Sequence, residues 1–296
     1  MAVGWLGRRT GILPAATSEV ITLVVYWLAA PSMLFATLSV ADLQTVMGWP
    51  LLVAAVSGFG SALVFLLLAW LFLRPSKADL TVGAMSASLN NAAYIGIPVA
   101  VYVLGAASHA VPILIFQLGL LSPMFFVLAN LVGSGESPSP RVVVRQVVTN
   151  PMVIAAALGI VVAWLHIPVP LVIAISTEML GAAAAPMVLV AFGASMYMQR
   201  FRFASDSGRV ALLSTLSKSV LQPAIAFGTG LLLSLPQEAL LGVTVMAALP
   251  TAQNAFIAAS RAGHGEKIAQ ATVLATNVIS LPLILLITWV FHLVGG

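Results

Sequence analysis

Apolar runs of about twenty residues recur along the whole chain. A hydrocarbon core of about 30 Å takes about twenty helical residues to cross, and inside it every peptide group must find its partner within the protein. Only α-helices and closed barrels meet that demand. The runs are continuous and lack the period-2 alternation of barrel strands, so the class is an all-α polytopic membrane protein. Charge agrees with this. The chain is 61% hydrophobic and 7% charged, whereas soluble domains carry roughly 25% charged residues.

Full spans are expected at about 19–40, 49–73, 80–104, 108–133, 150–166, 170–198, 207–234, 237–260 and 267–294. The opening MAVGWLG is only a stub: seven helical residues rise about 10 Å. No cleavable signal peptide is recognisable, and there is no Cys to suggest thiol chemistry. Of the twelve Lys and Arg residues, eleven fall in alternate loops: Arg8, Arg9, Arg74, Lys77, Arg141, Arg145, Arg200, Arg202, Arg209, Arg261 and Lys267. The intervening loops hold Asp42, His109, His166 and Glu238. Basic loops mark the cytoplasmic side, which puts the C-terminus outside a cell (inner or plasma) membrane. The net charge of +4 is thus a topology signal, and no nucleic-acid partner is expected.

The loop GSGESPSPRVVVRQVVTN divides the chain into a first half, 1–133, a cytoplasmic linker, 134–149, and a second half, 150–296. WLGRRTGILP followed by LAAPSMLFATLSV in the first half resembles WLHIPVP followed by GAAAAPMVLVAFGASM in the second. Each half later carries a polar interruption, SLNNAAYIG and PTAQNAFIA. Aligning Tyr94 with Phe256 superposes Asn91 on Gln253. The second half has five spans, an odd number, so the halves run in opposite senses: an inverted 5+5 repeat. The first helix of the first half is then largely missing, and the recorded start methionine is expected to fall too late.

Pro98 and Pro250 each remove a backbone donor, and each is expected to push the preceding residue, Ile97 or Leu249, out of helical geometry. Two interruptions at matching places point to a transporter site near the midplane, where half-helix N-termini attract an anion and C-terminal carbonyls a cation. The substrate-binding candidates are Asn90, Asn91, Tyr94, Pro98, Pro250, Thr251, Gln253 and Asn254. Glu178 and Lys218 are the ionisable residues deep inside spans and should face the bundle interior, first as a mutual pair, second as coupling groups. Asn277 is a further coupling-ion candidate and, with Thr276 and Ser280, a cavity-lining one; Gln117, Ser122, Gln222 and Thr272 read as interhelix glue. No cofactor or metal site is expected, beyond Na+ or H+ as coupling ion. Enzyme signatures are missing: there is no HExxH, no Walker loop and no intramembrane aspartate pair, and Gly58-Phe59-Gly60-Ser61 has no partner base.

The stretches SLNNAAYIGIPVA, MAALPTAQNAFIAASRAG, NPMVIAAALG with GAAAAPMVLVAFGASM, and LSKSVLQP are similar, in order and spacing, to motifs of the auxin efflux carrier family, within the bile acid:sodium symporter-like superfamily. The resemblance implies a ten-helix inverted repeat with two crossing broken helices, divided into scaffold and transport domains. It implies that Asn91 meets a substrate carboxylate and that Pro98 and Pro250 are the helix-breaking prolines. It also implies small organic anions as substrates: malonate- or malate-like carboxylates, or auxin-like acids. The missing helix would belong to the scaffold, where a homodimer would also form. The reading is a secondary transporter, not an enzyme. The alternatives are a sodium-coupled symporter of larger amphipathic anions and a non-transporting membrane ligand sensor, the latter disfavoured by the lack of a loop longer than about eighteen residues.

Overall fold

The computed structural model describes residues 2–40, 48–122, 151–195 and 205–295, with Tyr197 and single positions between 124 and 149. Asp42, Arg200, Arg202, most of the 134–149 linker and most of the expected span beyond residue 122 lie outside the described residues. Within them, one isolated bridge aside, every regular element is helical. In chain order these are α1 (Ala2–Arg9), α2 (17–38), α3 (Trp49–Leu73), α4 (Lys77–Ser88), α5 (Ala92–Tyr102) and α6 (107–121). Then come α7 (Pro151–Trp164), α8 (Leu171–Ser195), α9 (Asp206–Leu232), α10 (Gln237–Ala247), α11 (Asn254–Ala262) and α12 (Glu266–Gly295). Among the described residues, three helices are long and apolar enough to cross a membrane unaided: Trp49–Leu73, Asp206–Leu232 and Glu266–Leu293. They fall on the expected spans 49–73, 207–234 and 267–294. The expected spans 80–104 and 237–260 are each split, into α4 with α5 and α10 with α11.

Three of the helical prolines are accommodated by the same device, whereas Pro186 and Pro282 sit in uninterrupted α-helix. A π turn ends two residues before Pro31 in α2 (Val25–Ala29), before Pro98 in α5 (Ala92–Gly96) and before Pro223 in α9 (Ser217–Leu221). The wider turn, with bonds to the fifth preceding carbonyl, moves backbone away from the proline ring and lets the helix continue. Pro98 therefore does not break its helix. Ile97 keeps right-handed helical angles (φ −61°, ψ −51°), a correction to the expected distortion; the interruption lies upstream, at Leu89–Asn91.

The chain forms two compact units, Met1–Leu43 with Gln146–Arg200, and Gln44–Arg145 with Phe201–Gly296. Each draws on both halves of the sequence. In the first unit α8 packs against α1 and α2, and α2 against α7. The opening stub is the helix α1, seated so closely that a Cβ at Gly4 would lie on the Val190 carbonyl. Its Trp5 ring meets the Tyr197 ring edge-on at 6.4 Å, and the Arg8 guanidinium lies 5.6 Å over the same tyrosine.

In the second unit α3 packs against α4, α6, α9 and α10, while α12 packs against α4, α9, α10 and α11. Helix α4 is buried continuously from Val82 to Ser88. A helix buried all round has no polar face to lose, and the small residues of VGAMSAS let neighbours approach its backbone. Val53, Ala226 and Ala247 form an apolar cluster alongside. This unit contains both interrupted helices.

Candidate functional site

The two interruptions pair with each other. Asn90 and Thr251 form an antiparallel bridge: the Asn91 N–H donates to the Pro250 carbonyl (2.8 Å), and the Ala252 N–H donates to the Leu89 carbonyl (3.0 Å). Gly96 makes room for the crossing, since a Cβ there would lie 2.8 Å from the Leu249 side chain.

Where the helix bonds of the first interruption have gone can be followed group by group, which is the relevant question for buried backbone. A helix running on past Ser88 would return the amides of Asn90, Asn91 and Ala92 to the carbonyls of Ser86, Ala87 and Ser88. All three carbonyls are taken by side chains instead. Thr251 Oγ1 donates to Ser86 O (2.7 Å), Ser61 Oγ to Ala87 O (2.7 Å), and Gln222 Nε2 to Ser88 O (3.1 Å). The Asn90 peptide is clamped by one side chain: its N–H donates to Gln117 Oε1 and its carbonyl accepts from Gln117 Nε2, both at 2.7 Å. The chain then re-enters helix, with the Asn91 carbonyl accepting from the amides of Ile95 (3.1 Å) and Gly96 (2.9 Å).

The second interruption has fewer substitutes. The Ala247 carbonyl accepts from Lys218 Nζ (2.9 Å), and the Thr251 N–H donates to Thr276 Oγ1 (3.0 Å). Pro250 has no N–H to satisfy. Helix restarts at Asn254, with the Ala255 and Phe256 amides donating to the carbonyls of Ala252 and Gln253.

Lys218 joins the two. Its side chain is wholly buried, and Nζ also donates to Asn90 Oδ1 at 2.6 Å. Among the described residues no carboxylate lies within salt-bridge distance of Lys218, because a helix-end carbonyl and a carboxamide oxygen hold the ammonium instead. Glu178 is exposed on α8, in the other compact unit.

The remaining candidates sort by contact. Asn91 is 2% exposed, and its Nδ2 has no hydrogen-bond partner; nor has the buried Nε2 of Gln253. These are the two carboxamides that the halves superpose. Tyr94 is buried, Pro98 half-buried on the restarted α5, and Asn254 half-buried at the first position of α11. Asn277 turns back on its own helix, donating from Nδ2 to the Val273 carbonyl (2.7 Å), and makes no bond to the crossover. Ser61, Gln117 and Gln222, assigned to no substrate role from sequence, and Thr276, a cavity-lining candidate, bind the crossover backbone directly; their one signal is a polar side chain on an otherwise apolar run. Among the described residues no group of three His, Cys, Asp or Glu side chains is arranged to hold a metal ion.

Interrupted helices that pair inside an apolar bundle are the architecture of a membrane carrier. The family model described as membrane transport protein matches residues 1–140 and 135–288, and the chain belongs to that family, the auxin efflux carriers whose motifs it resembles. A relative from Rhizobium meliloti (strain 1021), named "Putative malonate transporter", is 26% identical over 294 residues, covering 94% of this chain and 88% of the relative.

Proposed function

We propose that this chain is a secondary active transporter of small organic anions, with carboxylates of the malonate or malate type as its substrates. The observation that carries the reading is that two of the three buried carboxamide donors without partners among the described residues, Asn91 Nδ2 and Gln253 Nε2, lie one beside each interruption, the third being Gln270 Nε2 on α12. A buried donor left unmade costs about 1–3 kcal/mol, and a carboxylate oxygen supplies the acceptor each one lacks. Both sit at the start of a new helical segment, whose first amides have no intrahelical acceptor and carry partial positive charge. The malonate assignment of the relative named above supports the dicarboxylate class.

The carrier works by alternating access. Substrate binds at the crossover; the unit that holds it moves and opens the site to the other face. Each compact unit draws on both sequence halves, as a division into scaffold and transport domains of an inverted 5+5 repeat requires. Basic loops lie in the cytoplasm of a cell whose membrane the protein crosses several times.

The test is uptake of labelled mono- and dicarboxylates into proteoliposomes. Wild type accumulates malonate or a close analogue, and Asn91→Ala lowers uptake by about tenfold at limiting substrate, the effect of losing about 1.4 kcal/mol of binding. Full retention of uptake by Asn91→Ala removes this residue from the anion site. No uptake of any acid by wild type removes the carrier reading in favour of a ligand sensor.

A further inference from the structure

Asn91 and Gln253 can be satisfied by the two oxygens of a single carboxylate, which leaves the third unpartnered donor, Gln270 Nε2, over. The remaining buried polar atoms without partners do not compete with it for an anion. Gln222 Oε1 is an acceptor, and the Oγ atoms of Ser86, Ser122 and Ser217 are hydroxyls, which can turn toward a carbonyl of the preceding helical turn. Gln270 is 7% exposed, within a stretch of α12 buried continuously from Ile268 to Val273, so its amide is held in protein and away from water. Asn277, seven residues further on and on the same face of α12, shows the fallback open to such a side chain: its Nδ2 donates to the Val273 carbonyl. Gln270 Nε2 makes no bond of that kind.

The register of α11 against α12 places this donor. The two helices pack together and are joined by the turn Gly263–Gly265, whose two glycines have positive φ, so they run antiparallel. The Thr251 amide donates to Thr276 Oγ1, which sets residue 251 beside residue 276. Counting along the pair, Gln253 falls beside residue 274, and Gln270 is four residues nearer the joining turn, a rise of about 6 Å. The outer oxygens of a malonate lie about 5 Å apart, and a hydrogen bond of about 2.9 Å at each end extends the reach between donors to about 10 Å. A diacid with one end at the crossover therefore reaches the level of Gln270. A monocarboxylate of the same length arrives there with a methyl group, which accepts nothing.

We propose that Gln270 selects dicarboxylates: its Nε2 donates to the second carboxylate of a substrate whose first carboxylate lies between Asn91 and Gln253. The proposal rests on the carrier reading and adds the residue that reads the far end of the substrate. A monoacid leaves the buried amide unpaired, and a site built to hydrogen-bond a group rejects the analogue that lacks it.

Malonate and propionate, which differ by one carboxylate against one methyl, are the probes. Uptake of each, labelled, into proteoliposomes gives a selectivity ratio. Wild type should favour malonate by about tenfold or more, and Gln270→Met, which keeps the volume and removes the donor, should lower that ratio by about tenfold. A wild type without preference, an unchanged ratio in Gln270→Met, or an equal loss of both acids overturns the proposal. Gln270→Glu keeps the shape and replaces the donor with an acceptor; it should lower the ratio at least as far, and a ratio equal to wild type overturns the proposal. The thermal unfolding midpoint of Gln270→Met without any acid should equal or exceed that of wild type, because no existing bond is removed; a lower midpoint assigns Gln270 to the fold and overturns the proposal. If wild type transports neither acid, the carrier reading has failed. The midpoints then decide the site alone: malonate raising that of wild type but not that of Gln270→Met sustains it, and equal shifts, or none, overturn it.

Discussion

The two interruptions of the second compact unit look alike in sequence but are held open by different means. The second, at Leu249–Thr251, contains a proline, and two substitute bonds meet it from outside, on Ala247 O and the Thr251 amide. The first, at Leu89–Asn91, contains no proline. It is open because Thr251, Ser61 and Gln222 occupy the carbonyls that a continuing helix would need, and because Gln117 clamps both sides of the Asn90 peptide. One interruption joins a proline of its own to two outside contacts; the other rests on tertiary contacts alone. The lesson is that a polar residue in a membrane helix can break a neighbour's helix as effectively as a proline breaks its own.

If that contrast is right, the largest effect comes from removing the clamp. Gln117→Leu keeps roughly the volume and leaves the Asn90 N–H and carbonyl without their partner. Two buried backbone groups at about 1–3 kcal/mol each predict a loss of about 2–6 kcal/mol. A thermal unfolding curve in detergent, read beside the uptake rate, should show a clear fall in midpoint together with weaker transport. An unshifted midpoint would mean that the first interruption stands without its clamp. Thr276→Val is the smaller counterpart on the other side. It is nearly isosteric and removes the one acceptor of the Thr251 amide, so about 1–2 kcal/mol is expected. A loss equal to that of Gln117→Leu would erase the distinction between the two interruptions.

The sequence was informative about what depends on composition and local chemistry. Span positions followed from the apolar runs, and α3, α9 and α12 lie where they were expected. Asn90 and Thr251 were marked by polarity within apolar surroundings, and the structure pairs them. Partner choice was not readable. Ser61 reaches Ala87 and Thr251 reaches Ser86, separations of 26 and 165 residues. No local pattern fixes which carbonyl a buried hydroxyl meets once helices pack. Pro98 was misjudged because the rule for the residue before proline assumes an ordinary α-turn, whereas a π turn precedes it here. Glu178 was expected to face inward because a charge within a span is costly. It is exposed on α8, and nothing in the structure explains its choice of face.

The sharpest discrimination comes from the smallest expected effect, that of Pro250→Ala. On the local view, removing the proline restores a missing N–H and allows α10 to run through into α11. The crossover would then be lost, because the Pro250 carbonyl and the Ala252 amide are its two backbone partners to the first interruption. But a continuing helix must also return the Thr251 amide to the Ala247 carbonyl, four residues back. That carbonyl is held by the Lys218 ammonium, and that amide by Thr276. Two existing bonds, one of them charge-assisted, would have to break to gain one ordinary helix bond, and Lys218 would be left buried with a single acceptor. Pro250→Ala should therefore change stability by no more than about 1 kcal/mol and leave uptake within about twofold of wild type. The double variant Pro250→Ala with Thr276→Val frees the amide as well. It should lose more than the two single changes added together, because only then can helix compete for the segment. Simple additivity in that cycle would show that the second interruption is set by its proline alone, with no part played by the contacts around it.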